Sequence, residues 1–173
     1  ISLAAGLAAL EKRVLLVDAD PQGNATRGLG QTARPPHLYH VLVGESPIES
    51  AILTTDFPYL DLLPADRDLV GAEVEFVGFE GWEKVLHQRL ATVRERYDFI
   101  LIDCPPSLSM LTLNGLCSAH GVIVPMQCEY FALEGLSDLV NTIKQVHANL
   151  NPDLQIIGLL RVMFDPRITL QQQ

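Results

Sequence analysis

Residues 13–26 read RVLLVDADPQGNAT, and this stretch is the most informative part of the sequence about the fold. Its first part, 13–17, has the unbroken apolar character after Arg13 that is typical of a strand covered on both faces. The strand stops at Asp18 and Asp20, because the proline that follows cannot donate to a sheet ladder and pushes the residue before it out of the helical region. Two carboxylates therefore leave a buried strand at its carboxyl end, where open parallel sheets bind their ligands.

A second stretch of the same design follows downstream, where residues 99–106 read FILIDCPP. Asp103 comes after four hydrophobic residues, which is the Walker B form, with a carboxylate that a rigid strand aims at a metal ion. Magnesium on a nucleoside triphosphate takes one or two carboxylates together with phosphate oxygens and water. A single strand-end aspartate is explained equally well as a turn cap. The two motifs together favour a metal–phosphate site, in which Asp20 orients an attacking water and Asp18 supports the waters of the metal.

The rest of the chain alternates apolar strands with helices. This alternation favours an α/β fold with a mainly parallel sheet and helices on both faces. The loop at 18–30, rich in Gly, Asn, Thr and Gln, is predicted to be mobile and outside the core, and the last strand to be buried. Helices are predicted at 1–12, 38–43, 48–53, 72–79, 82–96, 110–118 and 133–150, and strands at 13–17, 59–64, 99–103, 122–126 and 154–160.

Composition and charge limit the class of protein. The chain has 173 residues, of which 48% are hydrophobic and 19% charged, as expected for one globular domain. Its net charge of −9 gives this segment no electrostatic footprint for nucleic acid. Three cysteines without C-x-x-C spacing favour free thiols in a reducing cytoplasm. No apolar run approaches the roughly 18 residues that span a bilayer.

Three motifs resemble those of the ParA/Soj family of partition ATPases, which are deviant Walker-type P-loop NTPases related to MinD. They are, in order, VLLVDADPQGNAT, YDFILIDCPPSL and VPMQCEYFALEGL. The resemblance covers nearly the whole chain. It implies a three-layer P-loop NTPase-like fold, binding of ATP with Mg²⁺, and slow hydrolysis. It also implies a homodimer formed with ATP, non-specific DNA binding by the dimer, stimulation by a ParB-type partner, and a cytoplasmic, nucleoid-associated protein without stable membrane insertion.

The resemblance also implies roles for individual residues. Asp20 matches the water-activating aspartate of the first switch loop, Asp18 the aspartate near the magnesium shell, and Asp103 the Walker B aspartate. The second switch, whose backbone senses the terminal phosphate, would contain Cys104, Pro105 and Pro106. The segment beside the adenine would contain Met163, Phe164, Asp165, Pro166 and Arg167, and a loop at the dimer face, 127–133, would contain Glu129 and Tyr130.

Part of the family pattern is absent from these residues. The phosphate-binding loop of the family, K-G-G-x-G-K-[ST], would precede the helix that begins here near Ile1, and the basic C-terminal region that carries DNA contacts would follow the last residue. We therefore interpret residues 1–173 as a single partial ATPase domain, incomplete at both ends. We expect this polypeptide alone to hold ATP weakly and DNA contacts to lie mostly outside it.

Other functions remain open on the same fold. One alternative is a non-catalytic nucleotide-sensing or scaffold module, in which the phosphate loop is truly absent. Another is a MinD-like membrane-cycling ATPase, which would end in an amphipathic helix. An amide-forming or carboxylating ATP enzyme is less favoured, because the sequence presents no second substrate site. Cys104 is interpreted as a structural thiol, since no local signature pairs it with a histidine.

Overall fold

The computed structural model describes residues 1–127 and 132–162. It divides the chain into two compact units, Ile1–Gly115 and Leu116–Gln173, and each is described by itself. The interpretation of residues 1–173 as one partial domain stays a prediction.

The first unit is built on a four-stranded sheet. Its strands are β1 (Val14–Asp18), β2 (Leu53–Thr54), β3 (Leu60–Leu63) and β4 (Phe99–Asp103), in the order β2-β3-β1-β4. Strands β3 and β4 both pair in parallel with β1, and β2 pairs antiparallel with β3. The sheet is thus mostly parallel, which confirms the predicted fold class.

Short helices precede, connect and follow these strands, and all of them except α2 lie close to predicted helices. They are α1 (Ser2–Ala9), α2 (Asn24–Gly28), α3 (Leu38–Leu42), α4 (Ile48–Ala51), α5 (Val70–Phe76), α6 (Val85–Leu90) and α7 (Met110–Ser118). The helix predicted over 82–96 is instead α6 between two 3₁₀ turns. Thr92 contributes to this break, because its hydroxyl donates to the carbonyl of Arg89 (3.1 Å), and such local bonds compete with helical hydrogen bonding.

Strand β1 is covered on both faces. Leu15 and Val17 belong to a large apolar cluster with residues of α3, α5 and α6, whereas Val14 and Leu16 belong to a second cluster with residues of α1 and β3. Alternate side chains of a strand point to opposite faces, so the two clusters are the two layers of core on either side of the sheet. The prediction of a doubly covered strand at this position is confirmed.

Two predictions about burial in this unit are wrong. The stretch 18–30 is not outside the core, because α2 forms within it and places Ala25 and Leu29 four residues apart on one buried face. Strand β4 is only partly buried, with Phe99 42% exposed, and among the described residues of this unit it lies at the end of the strand order.

The second unit pairs two parallel strands, β5 (Gly121–Gln127) and β6 (Gln155–Val162), and contains α8 (Ala132–Asn149). Ile143 and Val146 of α8 are buried. The prediction of a buried last strand is wrong: Ile157 in β6 is 70% exposed. Within the described residues of this unit, β6 pairs with β5 alone, and so small a sheet covers few side chains. In the described part of the chain, the helices are too short or too polar to cross a bilayer.

Candidate functional site

The predicted metal–phosphate residues meet at the carboxyl end of the sheet in the first unit. Asp18 and Asp103 are paired positions in the parallel ladder between β1 and β4. The ladder extends one step further, because Ala19 N–H donates to the carbonyl of Asp103 at 2.9 Å. Two carboxylates thus leave neighbouring strands at the same level, as predicted from their sequence positions.

Asp18 is fully buried and held by hydrogen bonds. Its Oδ2 accepts from both the backbone N–H (2.8 Å) and the hydroxyl (2.7 Å) of Thr26, and its Oδ1 accepts from Asp20 N–H at 3.3 Å. Burial raises the pKa of Asp18, and the Thr26 bonds oppose that rise because they stabilise the ionised form. The carboxylate of Asp18, at the last residue of β1, is therefore fixed in position and shielded from solvent.

Asp20 lies in a tight turn at the front of the same site. Its Oδ1 accepts from Gln22 N–H (2.9 Å), and its carbonyl accepts from Gly23 N–H (2.9 Å), so the turn-capping role considered for a lone aspartate is present here. Arg27 braces the turn by donating to the Gln22 carbonyl at 2.5 Å and to the Asn24 side chain at 2.8 Å. Asp20 is half-buried, which leaves it accessible beside the two strand-end carboxylates.

The electrostatics indicate that the three carboxylates are close enough to repel one another. Burial raises the pKa of Asp103, and the charges of Asp18 and Asp20 raise it further. Uncompensated carboxylates at adjoining strand ends have the chemistry that a hard divalent cation neutralises, and oxygen donors are the ligands that Mg²⁺ prefers. The donor set therefore fits magnesium bound by one or two of these residues together with phosphate and water.

The segment after β4 is positioned by the first turn of α7. The hydroxyl of Thr112 donates to the carbonyl of Ser107 (2.7 Å) and lies 3.4 Å from that of Pro105. Pro105 is half-buried and Pro106 is exposed, so this turn is accessible at the same end of β4 as Asp103. The Thr112 bonds hold the turn in a defined shape.

Cys104 is positioned as a packed thiol. Burial raises its pKa to about 12, and the charges of Asp103 and Asp20 add to the rise. A Cβ added at Gly115 of α7 would lie 2.6 Å from Sγ of Cys104. A thiol that stays protonated and tightly packed is a poor nucleophile, in agreement with its structural interpretation.

Thr26 and Ala65 are site residues that sequence reasoning missed. Thr26 is buried, and its hydroxyl oxygen also accepts from Ala65 N–H at 3.1 Å, which ties the Asp18 carboxylate to the segment after β3. The signal available in the sequence was a threonine inside a polar, glycine-containing loop, and that pattern does not specify a buried partner. The predicted adenine segment (Met163, Phe164, Asp165, Pro166 and Arg167) and the predicted dimer-face residues (Glu129 and Tyr130) lie outside the described residues.

The chain is similar to known proteins over most or all of its length. The family model described as an AAA domain matches residues 1–156. The Soj chromosome-partitioning ATPase of Thermus thermophilus is 52% identical over 173 residues, which are all of this chain and 66% of that protein. The chromosome partitioning protein ParA of Myxococcus xanthus is 49% identical over 175 residues, and this chain covers 62% of its length. The chain thus spans less than two thirds of the length of these curated relatives.

Solved structures share the fold. The structure of cobyrinic acid a,c-diamide synthase from Mycobacterium smegmatis with bound ADP and magnesium superposes with a TM-score of 0.95 at 43% identity. The match covers 99% of this chain and 70% of that one. A solved structure that holds ADP and magnesium therefore shares the fold of this chain.

Proposed function

We propose that this chain, which belongs to the ParA/Soj family of partition ATPases, is the switch-bearing part of an ATP-driven DNA-segregation protein. The observation that carries the proposal is the pairing of Asp18 with Asp103 at the ends of β1 and β4. Asp20 lies two residues after Asp18 in the chain. This arrangement matches what a magnesium–triphosphate site requires, namely fixed carboxylates for the ion and an adjacent one for water.

Each acidic residue has a separate role in the proposal. Magnesium, when bound with ATP, supplies charge neutralisation for phosphoryl transfer. Asp103 contributes a carboxylate to that ion from the rigid end of β4. Asp18, held by Thr26, would support the waters of that ion. Asp20 would accept a hydrogen bond from the attacking water and orient it, and the segment that contains Pro105 and Pro106 would sense the terminal phosphate.

The wider function rests on the family. In the full-length protein we propose slow ATP hydrolysis, an ATP-dependent homodimer, non-specific DNA binding by that dimer, and stimulation by a ParB-type partner, at the nucleoid in the cytoplasm. The acidic charge of −9 favours DNA contacts that lie mostly outside these 173 residues, because this segment repels a phosphate backbone. The adenine would contact residues around Met163 to Pro166.

The first experiment separates a catalytic switch from a non-catalytic scaffold. ATP binding and turnover are measured for the chain as given and for a version extended upstream of Ile1, each as wild type and as Asp20→Ala. We expect the extended protein to bind Mg·ATP and its Asp20→Ala variant to retain binding while losing turnover at least about a hundredfold. Asp56→Ala, which removes an exposed carboxylate away from the site, is the matched control.

The outcomes discriminate clearly. If Asp20→Ala turns over ATP as fast as the Asp56→Ala control, the water-orienting role of Asp20 is wrong. If the extended wild-type protein fails to bind Mg·ATP at all, the scaffold alternative replaces the ATPase proposal. Stimulation of wild-type turnover by DNA and a ParB-type protein would support partition over membrane cycling.

A second candidate function is favoured by one observation, the 43% identity to the protein named cobyrinic acid a,c-diamide synthase. On this alternative, ATP turnover would activate a carboxylate for amide formation and would depend on an ammonia donor and a carboxylic acid acceptor. Turnover that rises with DNA and is indifferent to an ammonia donor would exclude it.

A further inference from the structure

His37 is a buried histidine whose ring nitrogens lack hydrogen bonds. Its exposed fraction is 0%, and neither Nδ1 nor Nε2 has a hydrogen-bond partner among the described residues. His37 immediately precedes α3. The next residue, Leu38, donates its N–H to the carbonyl of Pro64 at 3.0 Å, and this bond holds the start of α3 against the segment after β3. Burying a polar ring without hydrogen bonds is costly, so an ion bound at this position would offset part of that cost.

Two carboxylates face this ring from the segment after β3. His37 Nε2 lies 3.4 Å from Asp66 Oδ1 and 3.9 Å from Asp68 Oδ2. One ligand atom from each of the three residues lies within 4.8 Å of the other two. Asp66 is fixed in place because it caps the 3₁₀ turn Arg67–Leu69, where its Oδ1 accepts from Asp68 N–H at 2.9 Å. Hydrogen bonds that involve backbone groups therefore hold both His37 and Asp66 in position.

The separations fit a shared cation. A charge-assisted hydrogen bond between a histidine and a carboxylate would bring the heavy atoms to about 2.7–2.9 Å, which is shorter than both distances here. Ligand atoms about 2.0–2.2 Å from a tetrahedral zinc ion lie roughly 3.3–3.6 Å from one another. The distance of 3.4 Å between His37 Nε2 and Asp66 Oδ1 falls in this range. The distance from Nε2 to Asp68 Oδ2 is 3.9 Å, and the side chain of Asp68, which is 70% exposed, can move to bring its oxygen into the same range.

We propose that His37, Asp66 and Asp68 bind a divalent transition-metal ion of the zinc type, with a fourth position open to water or another ligand. An imidazole nitrogen suits Zn²⁺ and Co²⁺, whereas Mg²⁺ prefers oxygen ligands only. This site therefore differs in metal preference from the all-oxygen site at the strand ends. It is also distinct in position, because it joins the start of α3 to the connection between β3 and α5.

The site has a structural consequence for the switch residues. Asp66 follows Ala65, whose N–H donates to Thr26, and Thr26 in turn holds Asp18. A metal ion that fixes Asp66 would restrain Ala65 and hence the support of Asp18. The metal would restrain this connection, and it would stabilise the fold increasingly as its free concentration rises above the dissociation constant of the site.

Cobalt titration of the metal-stripped chain tests the proposal. We expect one Co²⁺ per chain at this site, with the visible d–d bands of tetrahedral coordination and without the near-ultraviolet band of a thiolate ligand. Zinc should displace the cobalt and raise the unfolding temperature. Asp68→Asn and Asp66→Asn should each weaken binding at least about tenfold, whereas the matched control Asp56→Asn should leave it unchanged.

His37 is tested separately, because a substitution at so buried a position can unfold the chain. His37→Asn is assayed only together with its circular-dichroism spectrum, and a folded variant that has lost cobalt binding supports the site. Paramagnetic shifts of the His37 ring in the wild-type chain on cobalt addition provide the measurement that needs no variant. A thiolate band, unshifted His37 resonances, or binding that survives both aspartate substitutions would overturn the proposal.

Discussion

Thr26 donates twice to a single oxygen of Asp18, through its backbone N–H at 2.8 Å and its hydroxyl at 2.7 Å. The same hydroxyl oxygen accepts from Ala65 N–H at 3.1 Å. One buried side chain therefore links the end of β1 to the segment after β3. It does so eight residues beyond the aspartate that it supports.

Thr26→Val should destabilise the protein by about 1–3 kcal/mol, because it leaves the buried Ala65 N–H without an acceptor and removes one bond to Asp18. Urea unfolding measures the change. Thr26→Ser, which restores the hydroxyl, should recover most of the loss, and Thr54→Val on an exposed position of β2 should change little. Equal stability of the Thr26→Val and Thr54→Val proteins would contradict the role given to this hydroxyl.

Asp103→Asn should stabilise the nucleotide-free chain while weakening Mg²⁺-dependent nucleotide binding. The substitution removes repulsion from Asp18 and Asp20, and the gain should be only about 0.5 kcal/mol because solvent screens a partly exposed group. Thermal unfolding and nucleotide titration of the upstream-extended protein, with and without Mg²⁺, measure the two effects. A variant that is less stable than Asp56→Asn would show that the three carboxylates do not repel.

Gly23→Ala should destabilise the turn that carries Asp20. Gly23 has φ +63°, and a Cβ there would lie 2.8 Å from the carbonyl oxygen of Ala65, a backbone atom that cannot easily move. We expect a loss of about 2–3 kcal/mol. Gly30→Ala is the matched control, since its φ is +70° and no atom lies within 4 Å of the added Cβ; it should lose only about 1 kcal/mol. Similar losses for both variants would mean that the close approach to Ala65 carries no cost.

The ion pair between Arg13 and Asp98 should contribute an acid-sensitive part of stability. Arg13 donates to both carboxylate oxygens of Asp98 and lowers the pKa of that group to about 2. An aspartate whose folded pKa is depressed adds stability above its unfolded pKa of about 3.9, and this contribution is lost as the pH falls toward about 2. Asp98→Asn should therefore lower Tm at pH 7 and converge with wild type near pH 2. A Tm difference that stays constant with pH would refute the linkage.

The sequence predicted the parts of the site that depend on strand ends. Asp18 and Asp103 each follow a run of apolar residues, and parallel strands bring their carboxyl ends to one edge, so their proximity needed no knowledge of packing. Thr26 was missed because its bond to Asp18 depends on how the loop folds into α2. The His37 cluster was missed because it requires the long-range contact between α3 and the segment after β3.

Burial was predicted less well than element type. Apolar runs identified β4 and β6 as strands, but the number of layers that cover each strand depends on its place in the strand order. Strand β1 lies between two neighbours and has core on both faces, whereas within the described residues of its own unit β4 has one neighbour, as β6 has in the other unit. Hydrophobicity alone does not encode that position.

The ladder pairing between the two strand-end aspartates restricts how this protein can change during evolution. Successive side chains in a strand alternate between faces, so inserting or deleting one codon within β1 or β4 would turn its carboxylate away from its counterpart. Length changes that preserve the paired acids would have to add or remove residues two at a time, or occur in the connecting loops. We expect homologues to vary far more in loop length than in the number of residues from the start of β1 or β4 to the aspartate at its end.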